Sequence, residues 1–216
     1  MKIDQIKKKY IDAYRLYGGS DRKSLLWTKD KQDMRFQILL GEKYKKSHMR
    51  LLDYGCGFAD LYLFMKKHFY NIEYHGCDIN EDFVIESKKR YKSQDIFLIN
   101  NIDDIKNKYD IVLISGTFNV LFPSTIEEKE NYVFDSLSKL FEKTNHLLTV
   151  NFLSHLTDAE YKYEDHFYLD PVKLYDYAIK NMTKRVQIDT ASMPYEITFK
   201  FFKNEDLDKE MTIYKD

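Results

Sequence analysis

Residues 49–65, MRLLDYGCGFADLYLFM, decide how the rest of the chain is read. The apolar pair Leu51-Leu52 runs into an acid, Asp53, and then a glycine turn, Gly55-Cys56-Gly57. A helix is expected to open near Phe58 or Ala59. Glycines in such a turn let the backbone approach a ligand with no Cβ in the way. The helix points its first, unpaired N–H groups back at whatever lies there. Strand, glycine turn and helix in this order form the first unit of an α/β sheet.

Downstream, the alternation continues. Strands are expected at 50–54, 73–78, 96–99, 110–115 and 146–152, the fourth apolar enough to be buried on both faces. Between them fall a helix carrying Leu61, Phe64 or Met65, and Phe69, a second over 81–91, and a third from about Lys129 to Glu142. Asp170-Pro171 supplies an N-cap and a first-turn proline, so another helix is expected to about Asn181. Two last strands, 184–190 and 196–202, have only Ser192-Met193-Pro194 between them and should pair antiparallel. The charged residues from Lys203 onward are expected to fray.

Upstream, Ile3, Ile6, Tyr10, Ile11 and Tyr14 trace one face of a helix over residues 1–17, which Gly18-Gly19-Ser20 ends. A second helix is expected from about Lys29 to Lys45, burying Met34, Phe36, Ile38 and Leu39, with Trp27 just ahead of it. Both stand outside the strand–helix alternation. Residues 1–47 therefore read as an N-terminal helical cap on a core of residues 48–216, either a lid or simple packing on the sheet edge.

Composition removes several classes of function. Net charge is −1, so there is no broad basic field for nucleic acid. Aromatic residues reach 16% but fall mostly on expected core positions, which weighs against base stacking and a nucleic-acid partner. No run approaches the roughly 18 apolar residues of a membrane span. The start, MKIDQIKKKY, lacks the apolar stretch of a signal peptide. Cys56 and Cys77 make a poor disulfide framework, so a reduced, cytoplasmic setting is expected. Cys56 itself reads as a small turn residue rather than a nucleophile. No His, Cys or carboxylate spacing suggests a metal site, and none is expected.

The chemistry of the turn separates two kinds of ligand. Asp78 ends the second strand about 20 residues beyond Gly55, where a carboxylate can take both hydroxyls of a ribose. A dinucleotide would put its pyrophosphate on the helix N-terminus. There it would meet Asp53 before the turn and Asp60 after it, and Asp60 also takes the place of the last fingerprint glycine. Two carboxylates are wrong for a pyrophosphate and right for a ligand carrying an ammonium and a sulfonium.

LLDYGCGFADLY resembles the first motif of class I S-adenosylmethionine methyltransferases and YHGCDIN their second, with YDIVLISGTFN and NFL continuing the match to about residue 153. The fold implied is Rossmann-like α/β: a seven-stranded, mostly parallel sheet with helices on both faces, an antiparallel last strand and the N-terminal cap. The cofactor implied is S-adenosyl-L-methionine. Asp53 and the Gly55-Cys56-Gly57 backbone would hold its methionine moiety, and Asp78 its ribose. Ile79 and Phe83 would flank the adenine, Asn101 and Ile102 would meet its edge, and Ser115-Gly116 would line the floor beneath the methyl. Trp27 and Arg35-Phe36 resemble a Trp and an Arg-Phe pair found ahead of the first motif in a small bacterial subgroup, and Arg35 could pair with the cofactor carboxylate. Two departures are Ala59 in place of a third glycine and Asn101 in place of an acid, a role that Asp103 or Asp104 could share.

The acceptor is less legible. Acceptor groups in this family come from the cap and from the loops after strands 4 and 5. That brings in His155, His166 and Tyr17 as catalytic candidates, with Tyr14, Thr117, Asn119, Asp158 and Tyr168 in range. SGTFN stands where many base-methylating relatives carry an Asn-Pro-Pro-Tyr-type sequence. The expected reaction is methyl transfer to a small polar acceptor, oxygen favoured. Basic residues of the cap (Arg15, Arg22, Lys23, Lys29, Lys31, Arg35) suit a phosphorylated or nucleotide-linked one. The chain also resembles small methyltransferases of capsule and surface-glycan clusters, including those for a capsular phosphoramidate. Alternatives are an RNA or protein methyltransferase, an NAD-linked enzyme, or a non-catalytic module that keeps the cofactor fold. The oligomeric state has no sequence signal.

Overall fold

The computed structural model describes residues 3–19, 22–25, 31–45, 48–92, 95–121 and 125–203. Trp27, Lys29 and the tail from residue 204 lie outside the described residues, as do the side chains of Ile3, Ile6 and Arg22.

The sheet contains β1 (Met49–Tyr54), β2 (Ile72–Asp78), β3 (Ile96–Leu98), β4 (Tyr109–Ile114), β5 (Thr144–Ser154), β7 (Val186–Asp189) and β8 (Glu196–Phe202). A two-residue strand, β6 (Tyr168–Leu169), pairs with the end of β5. The order is β3-β2-β1-β4-β5-β8-β7, parallel except for β8, which runs antiparallel to both β5 and β7. The helices are α1 (Ile3–Tyr17), α2 (Gln32–Leu40), α3 (Asp60–Lys67), α4 (Glu81–Tyr91), α5 (Ile126–Glu142) and α6 (Pro171–Asn181).

Alternation along the strands builds a core on each face. Leu51, Ile111, Leu113 and Leu147 face Phe36, Leu39 and Leu40 of α2 together with Leu61, Phe64 and Met65 of α3. Leu52, Val112, Ile114, Leu148 and Val150 face Val133, Leu137 and Leu140 of α5 and Leu174 of α6. A fully buried leucine of this kind contributes about 1.5–3 kcal/mol by leaving water, so this layering supplies the main force that fixes the sheet.

Several boundaries differ from the sequence reading. α2 is shorter than expected because Gly41 (φ 73°) ends it, and a single 3-10 turn, Glu42–Tyr44, follows. Met34 on the outer side of this short helix is 49% exposed rather than buried. α5 begins earlier, at Ile126. There Thr125 Oγ1 accepts from the Glu128 N–H while the Glu128 carboxylate accepts from the Thr125 N–H, a reciprocal cap. The third helix ends at Lys67, leaving Phe69 88% exposed at φ 60°.

Candidate active site

The strand order places the crevice. From β1 the sheet grows one way through β2 and β3 and the other way through β4 and β5, so the loops after β1 and β4 diverge. Ligands of open α/β sheets bind at this switch point, outside the carboxyl ends of the strands. The glycine turn leaves β1 here. Gly55 (φ 74°) and Gly57 (φ 53°) take backbone conformations that disfavour a side chain, and a Cβ on Gly55 would overlap the Thr117 side chain. The Gly55 and Cys56 N–H groups both donate to Cys77 O, at 2.8 and 3.0 Å, which clamps the turn onto the end of β2. Ala59, where a third glycine is usual, is left-handed too (φ 57°, ψ 36°). α3 starts only after it, at Asp60. An alanine there carries roughly 1 kcal/mol of strain.

Two carboxylates flank the turn, both almost wholly buried: Asp53 at 3% and Asp78 at 7% exposure. Asp78 Oδ2 accepts from the Gly57 N–H and Oδ1 from the Asn80 N–H, each at 2.9 Å. Asp53 Oδ2 accepts from the Tyr74 hydroxyl at 2.8 Å. Burial pushes Asp53 up to about 7 against the opposing Tyr74 hydrogen bond, and the charges of Asp78 and Asp60 push the same way. Burial also raises Asp78, opposed by the N–H groups of Asn80, Gly57 and Ile79. A polyanion here would add repulsion. A ligand with an ammonium for Asp53 and a diol for Asp78 would relieve both groups, so the residues fit S-adenosylmethionine and not a pyrophosphate.

A cleft of about 250 Å³ runs along this seam. Arg35, Asp53, Gly55, Cys56, Gly57, Asp78, Ile79, Phe83, Asn101, Ile102, Ser115 and Gly116, the residues expected around the cofactor, all line it. The cap reaches it as well. Tyr10 of α1 lies in the wall with its ring edge-on to Phe83 (5.9 Å), and Gln32 and Arg35 of α2 also line it. Burial raises the Tyr10 hydroxyl, and Asp78 adds to the effect. Burial likewise raises the Cys56 thiol well above its ordinary value, which fits a turn residue better than a nucleophile.

Two details differ from expectation. Asn101 Oδ1, expected to face an adenine amine, accepts from the Asp103 N–H at 2.8 Å, while Asp104 caps Asn100 and Asn101. Asp103, exposed and on the cleft, is the better-placed acid. Arg35 does not offer its fork outward: Nε and Nη2 grip the Glu196 carboxylate at 2.6–2.9 Å.

None of the catalytic candidates lines the cleft. Tyr17 is 42% exposed, beneath the Lys23 ammonium. His155 Nδ1 lies 3.2 Å from Leu169 O, beyond the end of β5. His166 Nδ1 sits 2.7 Å from Asp165 Oδ1, in a loop bridged to Val120 and tied to α1 by Lys9–Asp165.

The cleft also contains Lys129 and Tyr132 of α5, which the sequence reading missed. Lys129 lies on the buried stripe of α5 with Val133, Ser136, Leu137 and Leu140, a spacing visible in the sequence. Its ammonium sits 5.6–5.8 Å from the ring centres of Phe118, Tyr132 and Phe167. Burial lowers it from 10.5 to about 7. Between those values the unfolded chain holds a proton that the folded chain has released, so this group makes stability rise with pH from about 7 to 10.5. Lys129→Met should remove that rise and raise stability at pH 7 by on the order of 1–3 kcal/mol, seen as a higher melting temperature. Melting curves of both proteins across this range check it.

The sequence profile of a methyltransferase domain family matches residues 45–194. A Mycobacterium tuberculosis protein provisionally named a methyltransferase is 26% identical over 149 residues, covering 68% of this chain and 88% of its own. Among solved structures, magnesium protoporphyrin IX methyltransferase from Synechocystis PCC 6803, with bound SAH, superposes with a TM-score of 0.62 at 14% identity. It covers 93% of this chain and 97% of its own. A SAM-dependent methyltransferase from Archaeoglobus fulgidus gives 0.61 at 17%, covering 90% and 99%. At these identities the structures share the fold. The chain belongs to the methyltransferase domain family. It is an enzyme whose methyl donor is S-adenosylmethionine.

Proposed function

We propose that the enzyme methylates a small polar acceptor, oxygen favoured, that is phosphorylated or nucleotide-linked. The observation that carries the donor half is the pair of buried acids on either side of the glycine turn. When bound, S-adenosylmethionine supplies a methyl group activated on a sulfonium. The chain aligns and desolvates that group: Asp53 meets the ammonium, Asp78 the ribose, Asp103 the adenine edge, and the Ser115-Gly116 turn lies beneath the methyl.

An acceptor hydroxyl also needs a proton acceptor. Of the three catalytic candidates, His166 is the one paired with a carboxylate. It stands outside the cleft, as His155 and Tyr17 do, but its loop adjoins both the post-β4 loop and α1, so it is the candidate that an acceptor held between cap and core would meet, oriented by Asp165. Residues 1–47 serve as the cap, with Tyr10 covering the ribose side. The cap latch Lys9–Asp165 is exposed and therefore weak, which suits a lid. Exposed Arg15, Lys23 and Lys31 support an anionic acceptor. The capsule setting rests on the sequence resemblance alone.

Thermal melting with S-adenosylhomocysteine, S-adenosylmethionine and NAD in parallel tests the donor. A ligand at about 100 times its dissociation constant adds roughly 2.7 kcal/mol. A shift with the two sulfur nucleosides only is expected, and a shift with NAD alone would overturn the reading. Turnover of phosphorylated sugars and nucleotide sugars tests the acceptor, and none with any of them removes that half.

A further inference from the structure

Arg35 stands in the cleft wall, yet its guanidinium is directed into the protein. Glu196, the first residue of β8, receives it with both oxygens, and the two side chains are only 6% and 9% exposed. Glu196 Oε2 also accepts from Asn151 Nδ2 at 2.9 Å. Asn151, on β5 and 1% exposed, uses its other end to accept from the Gly116 N–H at 2.9 Å. Gly116 (φ 72°) is the turn that lines the cleft after β4. Next to it Thr117 Oγ1 donates to Tyr54 O at 3.0 Å and fills the space that Gly55 leaves open. A buried chain of polar contacts thus runs from the cap helix α2 through β8 and β5 to the Gly116 turn, whose neighbour Thr117 packs on the Gly55 turn, and both turns line the cleft.

Stability alone does not explain such a chain. A buried ion pair gains little over a well-packed apolar pair, because both charges must leave water. Buried networks do fix geometry, since every member has one arrangement that satisfies all of them.

We propose that Glu196 and Asn151, neither of which lines the cleft, are positioning residues for the amino-acid end of the cofactor: they hold Arg35 and the Gly116 turn as one unit. This rests on the S-adenosylmethionine reading above. On that reading Arg35, Asp53 and Gly55 belong to the amino-acid end, with the Gly116 turn beneath the point where that tail joins the sulfur, and Ile79, Phe83 and Asn101 belong to the adenosine end; all of them line the cleft. Loss of the relay should therefore disturb only the first end.

Two nucleosides separate the ends. S-adenosylhomocysteine carries the amino-acid tail, and 5′-methylthioadenosine lacks it. Asn151→Ser cuts the Gly116 link, and it should weaken S-adenosylhomocysteine tenfold or more by calorimetry while leaving 5′-methylthioadenosine within about twofold. Equal losses for both, or no loss for either, overturn the proposal. Should Asn151→Ser fail to fold, Glu196→Gln serves through a ligand-free signal. It leaves Asn151 and Gly116 untouched, so the Gly116 amide resonance moves only if the relay acts as a unit, and an unmoved resonance overturns the proposal. Failure of the wild-type protein to bind either nucleoside would sink the cofactor reading instead, and the amide signal would still judge the relay.

Discussion

Asp78→Ala is expected to abolish measurable cofactor binding and to lower the melting temperature by roughly 10 °C. Its carboxylate accepts from Gly57 N and Asn80 N inside the protein, and removing it leaves both N–H groups buried and unmatched. Each such group costs about 1–3 kcal/mol, so a total of about 2–6 kcal/mol follows. The ligand loses the partner of its ribose diol as well. Two hydrogen bonds to a charged acceptor, at about 2 kcal/mol each, correspond to about a thousandfold in affinity. Calorimetry with S-adenosylhomocysteine and a melting curve measure the two effects. A variant that melted normally and bound within tenfold of wild type would show that Asp78 is only a strand-end cap.

Asp53→Asn should act in opposite directions on stability and binding. With Asp53 raised to about 7 by burial, the folded chain keeps a proton between about pH 4 and 7 that the unfolded chain has released. Wild-type stability therefore falls across that window as pH rises, and above 7 the full cost of a buried charge is present. Asparagine carries no charge and can still accept from the Tyr74 hydroxyl. The variant should melt higher than wild type at pH 8 without ligand, yet bind S-adenosylhomocysteine about 100-fold more weakly, having lost the partner of its ammonium. In the wild type, binding below pH 7 must displace that proton, so affinity should drop by up to about tenfold per pH unit there. A flat affinity from pH 5 to 8 would contradict both halves.

Much of this was legible because local chemistry and the global fold agree. The helix at 81–91 and the strand at 196–202 occur where the sequence placed them, since an Asn80 cap and strict alternation leave little choice. The glycine turn and its two acids were readable because backbone freedom and charge are both carried by residue type. What escaped reading depends on distance or on a few residues. The start of α5 was available in Thr125 and Glu128 as a capping box, but the apolar stripe drew the boundary later. β6 has only two residues, too few for any periodicity. Arg35 looked like a ligand for the cofactor carboxylate because nothing near it in sequence announces Glu196. The three catalytic candidates followed from chain order, which fixes the loop a residue occupies and not the direction in which its side chain points.

The contact between Arg35 and Glu196 spans 161 positions of the chain. Glu196 belongs to the strand that slides between β5 and β7, so it arrives when nearly all the described sheet has been made. Emerging from a ribosome, the glycine turn, both acids and the cap helix are present well before β8. Until that strand inserts, Arg35 has no Glu196 to receive it and Asn151 grips the Gly116 turn at one end only. Contacts of such long separation form late. On the relay proposed above, the cleft is completed by the insertion of β8, in one cooperative closure rather than by degrees.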